Sequence, residues 1–540
     1  MPDPLSPDFS EDVDVVIVGS GPNGAAYARV LTETRPCTRV LVVEAGPVVT
    51  EIPGLHMANI IDDDERERAQ ISCQGPNQYA YDLPATSGTA HNADAAQRSE
   101  ALVTRPGLFP VGSGDIDGDG FPAAQESSNV GGMGSHWFGA CPRPSEAERI
   151  RVIDDEALED AYAIAEGLLR VSATQFLGSK FAEHVEHVLG EELDAGRAPG
   201  REVQPMPMAV TLTPHGVHRT GPNLIFDDLL TGADEDFELR PDTLCEQVLL
   251  QDGKVTGVRL RDRVARREYA VRAEYVVVAG DSLRTPQLLF ASGVRPAALG
   301  HYLNEHPQVS IMAEVDGLGA DSGHDHEVGN STAMSDSRAV AVAASGVTWI
   351  PYEAERFPFH GMLAQIDPDT VPRSAADRAE RKPLISVHFF AAQELRFENR
   401  LEFSESEVDW LGLPAMRIHH TLSERDLRTL EEGKSAALRL SNVLGKPVDG
   451  EIPWILPSGS SLHYQGTVRM GAADDGTSVC DPSCRVWGTE NLYVAGNGVI
   501  PTETACNPTL TSVALSVIGA RDIASRLDAA SAADSGVLAG

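Results

Sequence analysis

The stretch from Val13 to Gly46, VDVVIVGSGPNGAAYARVLTETRPCTRVLVVEAG, constrains this chain more than any other. Val13 and the run Val15 to Val18 have the length and β-branched content of a strand buried on both faces. The run leads directly into Gly19-Ser20-Gly21-Pro22-Asn23-Gly24, then into a helical segment, then into a second apolar run, Val40 to Val43, that ends in Glu44. Strand, glycine turn, helix, strand and acid in that order form the dinucleotide-binding fingerprint. Gly19 is expected to make the tight turn, Gly21 to let backbone approach a pyrophosphate, and Gly24 to let the helix sit close to the strand. The helix N-terminus offers unpaired N–H groups and a positive dipole end to phosphate. Glu44, twenty residues past Gly24, is placed to accept hydrogen bonds from a ribose diol. A ligand-free glycine turn leaves Glu44 unexplained. The stretch by itself does not separate FAD from NAD.

The 540 residues are enough for two or three domains with large cores. Against 80 acidic residues stand 43 basic ones, a net charge of −37 that repels nucleic acid and anionic membranes, so neither is an expected partner. No apolar run approaches the roughly 20 residues of a membrane span. The N-terminal MPDPLSPDFSEDVD is acidic and proline-rich, unlike a signal peptide, so the expected location is the cytoplasm. Seven cysteines at irregular spacing argue against a disulfide framework, and Cys480 with Cys484 lacks the second ligand pair of a zinc set. No metal site is expected.

Along the chain, residues 1–12 and 529–540 read as flexible tails. Residues 61–104, with the charged run Asp62 to Arg68 and the polar stretch Thr86 to Ala96, read as an excursion over the cofactor or a partner. Residues 115–126, DIDGDGFPAAQE, fit the alternating acids, Gly and final Glu of a calcium loop. Pro122 and non-helical flanks favour a plain surface turn. Asn129-Val130-Gly131-Gly132-Met133-Gly134-Ser135-His136-Trp137 is either backbone pressed against something flat or a buried turn with a satisfied histidine. Asp154-Asp155 caps a helix over Glu156 to Leu169, and Ser423 to Leu444 is a second, amphipathic helix. Leu244 to Leu250 and Val255 to Arg261 flank the turn signal Gln251 to Lys254, and Tyr275 to Ala279 is a further buried strand before a helix. Further strands are expected at Leu384 to Phe390, Arg400 to Phe403 and Leu492 to Ala495. His463, Gly496-Asn497-Gly498 and Asn507-Pro508-Thr509 crowd the last quarter, where Pro508 suits the first position of a helix running through Ile523.

These motifs carry a resemblance. The sequence resembles the glucose-methanol-choline family of FAD oxidoreductases along almost its whole length, through Gly19 to Glu44, Asn129 to His136, Gly280 to Gly293 with Asn304-Glu305-His306-Pro307, and His463 with Asn507. Within the family it looks most like pyranose 2-oxidases and bacterial enzymes that oxidise glycosides at carbon 3. The resemblance implies an α/β fold: a discontinuous Rossmann-like FAD domain (13–60, 105–150, 236–300, 455–528) interleaved with a mixed-sheet, α+β substrate domain (151–235, 301–454). It implies FAD contacts at Gly19, Gly21, Gly24, Glu44, Asn129, Gly132, Ser135, His136, Val248, Gly496, Asn497, Pro508 and Thr509. It implies His463 as catalytic base and Asn507 as the group that holds the substrate hydroxyl.

The implied activity is hydride removal from carbon 2 or carbon 3 of a pyranose or of a C- or O-glycoside, with O2 reduced to H2O2. The alternatives are a dehydrogenase on the same scaffold passing electrons to a quinone or other carrier, and a flavin protein without redox turnover. Close bacterial relatives hold FAD without a bond, while in the pyranose oxidases the histidine matching His136 can be joined covalently to the flavin. Here Phe138 replaces the threonine those enzymes keep near the reactive flavin nitrogen, so non-covalent FAD is expected, with a bond to His136 as the alternative. The aromatic-rich segment Trp349 to Met362 is expected to form a substrate-facing loop.

Overall fold

The computed structural model describes residues 9–78, 105–111, 116–117, 120–213, 216–318, 346–366 and 383–538. The fingerprint forms as its residue pattern demands. β1 (Phe9–Val18) and β2 (Val40–Val43) pair in parallel, Val15 opposite Val40 and Val18 opposite Val43, and α1 (Pro22–Thr34) crosses between them. β3 (Phe237–Arg240) extends the sheet in parallel beside β2. The expected hairpin is β4 (Thr243–Gln251) and β5 (Lys254–Asp262), and it returns through β6 (Arg267–Val278). β6 lies parallel to β1 and, at Val276 to Val278, parallel to the strand Leu492–Val494. The central residues Val15, Val16, Ile17, Val42, Val276 and Val277 have no solvent exposure, as a sheet covered on both faces requires. The ends of β1, β2 and β6 open on one crevice, the position at which parallel α/β sheets bind ligands.

A second, antiparallel sheet is built from β7 (Gln308–Val315), β8 (Val347–Ile350), β9 (Phe359–Ile366) and β10 (Leu384–Ala391) in the order β7, β10, β9, β8. Side chains alternate across it. Val309, Ile311, Leu363, Val387 and Phe389 pack against the helices Lys180–Leu193 and Glu424–Leu444. Gln308, Ser310, Met312, Met362, Ser386 and Phe390 face the other way, into a cavity shared with the first sheet. The helix Glu424–Leu444 opens with a capping box of Ser423 and Asp426, close to the expected start.

Several boundaries differ from expectation. β1 begins at Phe9, so residues 9–12 of the expected tail belong to the sheet, Phe9 pairing with Ala270. The last helix runs from Thr509 to Leu538, well past Ile523 and through most of the expected C-terminal tail, because its small residues favour helix once a packed first half has nucleated it. Within the excursion, the charged run forms the helix Asp63–Ser72, capped by Asp62, whose carboxylate accepts from Glu65 N at 2.7 Å. Thr86 to Ala96 lie outside the described residues. Much of the calcium-loop match also lies outside them. Its final acid, Glu126, sits in a short strand and holds Arg284 at 2.7 Å, which commits that carboxylate to an ion pair. Trp349 to Met362 is the end of one strand and the start of the next, joined by a connection over 351–358; of the segment only Met362 lines the cavity, while Trp349 and His360 are buried behind it. No helix of the described residues is long and apolar enough to cross a membrane.

Candidate active site

A cavity of about 790 Å³ runs from the carboxyl ends of the first sheet to the inner face of the second. At its nucleotide end, glycine is required by contact rather than by composition. Gly19 has φ +107°, and a Cβ there would stand 2.5 Å from Ala279 O. A Cβ on Gly24 would stand 2.0 Å from Gly19 O, so the helix closes on the turn only without one. Gly21 and Gly132 differ: a Cβ on either meets nothing nearer than 3.9 Å, and both line the cavity. Their open backbone is a cradle of the kind a pyrophosphate needs.

Glu44 lines the same end, but its oxygens are already engaged. Oε2 accepts from Ser20 N at 3.1 Å and Ser20 Oγ at 2.8 Å, and Oε1 accepts from Gly46 N at 2.9 Å. Burial raises its pKa, opposed by those three donors. Ser20 Oγ also accepts from Gly131 N at 2.9 Å, which ties the second glycine segment to the first. Two buried atoms beside this end, Asn129 Oδ1 and His136 Nε2, have no hydrogen-bond partner among the described residues. Burial pushes His136 down to about 4.

At the other end, His463 Nε2 lies 3.2 Å from Asn507 Nδ2 and its Nδ1 lies 3.0 Å from His306 Nδ1. Asn507 ends a loop whose Ala505 and Cys506 amides donate to Glu148 Oε1 at 2.7 and 3.1 Å, so a buried carboxylate fixes the entry to the last helix. The His463 loop is held by Glu305, which accepts from Gly459 N at 2.7 Å and Ser461 Oγ at 2.8 Å. Ser461 Oγ in turn accepts from His463 N at 3.2 Å. Burial holds His463 at about 3, with the positive charge of Arg105 acting in the same direction, so its imidazole is neutral across the physiological range. Burial pushes Glu305 up to about 7. The Arg105 guanidinium donates to Ser460 O at 3.1 Å, and no carboxylate among the described residues reaches it.

Of the residues expected at the site, Gly19, Gly21, Glu44, Gly132, His136, Gly496, Asn497, Thr509, Asn507 and His463 all line this one cavity. Gly24, Asn129, Ser135 and Pro508 sit one layer behind it, Asn129 Nδ2 donating to Ser135 Oγ at 3.3 Å. Val248 does not belong. It pairs with Val258 in the middle of the hairpin and is buried in the core, whereas the start of the same strand, Thr243 to Cys245, reaches the cavity beside Glu44. Four residues with no expected role complete the catalytic end: Arg105, Glu305, His306 and His360. Asn304 to Pro307 is one of the motifs that carry the family resemblance, but no local pattern aims its histidine at His463.

Models of the GMC oxidoreductase family match residues 145–308 and 397–516, which together with the fingerprint span both ends of the cavity. The chain belongs to the GMC oxidoreductase family. This GMC oxidoreductase is 42% identical to the C-glycoside 3-oxidase of Microbacterium trichothecenolyticum, over 96% of this chain and 98% of that one. It is 42% identical to the C-glycoside 3-oxidase of Arthrobacter globiformis, over 96% of each. The pyranose 2-oxidase of Tricholoma matsutake is 29% identical over 95% of this chain and 94% of that one. The formate oxidase of Aspergillus oryzae superposes with a TM-score of 0.64 at 14% identity, covering 96% of this chain and 99% of that one, a likeness of fold alone. FAD is the cofactor the family implies. The open Gly21 and Gly132 backbone, the unpartnered Asn129 and His136 atoms and the cavity's size all fit it.

Proposed function

We propose that this GMC oxidoreductase is an FAD-dependent glycoside oxidase that oxidises a ring alcohol at carbon 3 of a pyranose to a ketone and hands the electrons to O2. The observation that carries the reading is the His463–Asn507 pair, which lines the far end of the cavity from the glycine cradle. Carbon 3 is assigned over carbon 2 because the relatives at 42% identity are C-glycoside 3-oxidases and the pyranose 2-oxidase stands at 29%. Residues 13–60, 105–150, 236–300 and 455–528 are the cofactor-binding part in this reading, and 151–235 and 301–454 shape the substrate side.

Gly19, Gly21, Gly132, Gly496 and Asn497 would hold FAD, with Glu44 at its ribose end. Bound FAD supplies the hydride acceptor. The protein handles the proton: neutral His463 takes it from the substrate hydroxyl at Nε2, while Asn507 holds that hydroxyl so that the carbon–hydrogen bond is aimed. The sheet face of Phe390, Ser310 and Met362 limits water and packs the sugar's far side. We assign non-covalent FAD, on the strength of Phe138 and of a His136 ring confined by Gly107, where a Cβ would stand 2.5 Å from Cε1.

One set of measurements tests this. A glycoside added without air should bleach the yellow protein, air should restore it with release of peroxide, and acid precipitation should leave flavin in the supernatant. His463→Ala should keep its flavin and lose at least about 10²-fold in turnover. Near-normal turnover in that variant rejects the base assignment, and reoxidation by quinone without peroxide rejects the oxidase.

A further inference from the structure

Asn507 is held by the chain on both sides of it. After it, Pro508 O accepts from Ser512 N at 2.9 Å at the start of the last helix, and Thr511 Oγ1 lies 3.0 Å from the Tyr162 hydroxyl. Before it, residues 501–507 form no helix or strand, although Ala505 and Cys506 are buried. Buried amides outside regular structure need an acceptor from elsewhere. Here both find the same one: Ala505 N and Cys506 N donate to Glu148 Oε1 at 2.7 and 3.1 Å. The other oxygen, Oε2, accepts from Ser145 N at 2.7 Å and closes the turn on which Glu148 itself sits. One residue, 2% exposed, thus ties its own turn to a loop 357 residues away. Bonds from Thr502 Oγ1 to Glu148 O and from Cys506 Sγ to Pro142 O, both at 3.1 Å, run alongside.

The two oxygens have separate tasks. Oε2 completes the turn at 145–148, and Oε1 fixes the two amides immediately ahead of Asn507. Asn507 is itself buried, with Nδ2 3.2 Å from His463 Nε2. Any shift of Ala505 and Cys506 carries that side chain with it. A group that holds a hydroxyl against a base tolerates little shift: about 1 Å costs about 10²-fold in rate. Glu148 does not line the cavity, so its influence runs through the backbone it holds. All three of its partners are N–H donors, and of side chains this long only a carboxylate accepts at both ends.

We propose that Glu148 is a positioning residue for the oxidation: by accepting from the Ala505 and Cys506 amides it sets where Asn507 presents its side chain to the substrate hydroxyl. This rests on the reading of Asn507 as the group that holds that hydroxyl. Two conservative variants divide the oxygens between them. Asp is one methylene shorter, and the capping box at Ser423 shows what it reaches from this turn position: Asp426 Oδ2 accepts from Ser423 N at 2.9 Å. Glu148→Asp therefore keeps its own turn and withdraws from the loop. Gln keeps the length but has one oxygen, which turns to the two loop amides and leaves Nε2 against Ser145 N. Glu148→Gln therefore keeps the loop and weakens the turn.

Steady-state kinetics on the flavin-loaded variants, alone and in an Asn507→Ala background, test this. Glu148→Asp should hold flavin and lose at least about tenfold in kcat, with KM changed by less than about threefold. Glu148→Gln should keep kcat within about threefold of wild type, although its weakened turn lowers Tm. In the Asn507→Ala background Glu148→Asp should cost less than about twofold, because the side chain it aligns is gone. An equal loss with and without that side chain overturns the proposal, as does a Glu148→Gln enzyme as slow as Glu148→Asp. Release of flavin from Glu148→Asp overturns it too, since the carboxylate then serves the fold and not Asn507. Near-normal turnover in Asn507→Ala rejects the reading of Asn507 instead. A slow Asn507→Ala beside an unimpaired Glu148→Asp rejects the role of Glu148 alone.

Discussion

The glycine end of the cavity is built of backbone, within a stretch of 34 residues from Val13 to Gly46 joined by one serine to a second glycine segment. The far end is built of side chains: Glu305, His306, His360 and Asn507 are buried and Arg105 and His463 half-buried, brought together from β9 and from loops around residues 105, 305, 463 and 507. The first end fails sterically, because backbone cannot move aside. The second fails electrostatically, through a misplaced proton or charge. Substitutions at the two ends should therefore differ in kind.

The largest effect is expected at Gly24. Gly24→Val places a Cβ 2.0 Å from the Gly19 carbonyl oxygen, and neither backbone can yield without opening the turn. No soluble flavin-containing protein should be recovered. Gly21→Ala, where the nearest atom stands 3.9 Å off, should fold and lose at least about tenfold in flavin affinity, its methyl occupying space meant for phosphate. Flavin absorbance per protein and titration of the apoprotein check both. A flavin-loaded Gly24→Val would break the contrast.

A smaller effect is expected at Arg105. On the proposal that His463 is the base, activity falls as pH drops through its pKa, because a base must be unprotonated. Burial sets that pKa low, and Arg105 adds to the lowering. Arg105→Met removes the cation, raises the His463 pKa and should move the acid limb of the kcat/KM profile to higher pH, leaving the alkaline side in place. Because burial is the larger cause, the limb should stay below its position for an exposed histidine, near pH 6.5. An unmoved acid limb would mean that the guanidinium is not felt at His463.

The same contrast decides how much could be read beforehand. The nucleotide end was legible because its constraints are local: spacing alone ties Gly19 to Gly24, and a strand must precede them and Glu44 must follow. The hairpin Thr243 to Asp262 and the capped helix at Ser423 were legible for the same reason. Val248 was misplaced because a mid-strand valine looks the same whether it faces a ligand or a core, and only register with Val258 separates the two. His463 and Asn507 emerged through family likeness, since a lone histidine carries no local signal. Arg105, His306 and His360 had none either: their roles exist only where β9 and the loops before β7 and around residue 463 converge. The expected tails failed for a simpler reason. Small or acidic residues permit disorder without demanding it, and tertiary pairing at Phe9 extended the strand.

Glu305 and Glu44 carry the comparison into stability. Both acids have raised pKa values and accept hydrogen bonds, but Glu44 is half-buried whereas Glu305 is buried and is pushed up to about 7. An unfolded Glu gives up its proton near pH 4.3, whereas the folded protein keeps that of Glu305 until about pH 7. Between those values the native state binds the extra proton, so stability falls as pH rises across the window and levels off above it. Glu305→Gln has no proton to lose and can still accept from Gly459 N. Its Tm should therefore fall less than that of the wild type between pH 5 and pH 8. Asp281, also pushed up to about 7 by burial, contributes a slope of the same sign to both proteins and cancels in the difference. Parallel Tm curves would mean that Glu305 is ionised throughout, and that the loop carrying His463 is held by a carboxylate rather than by a neutral acid.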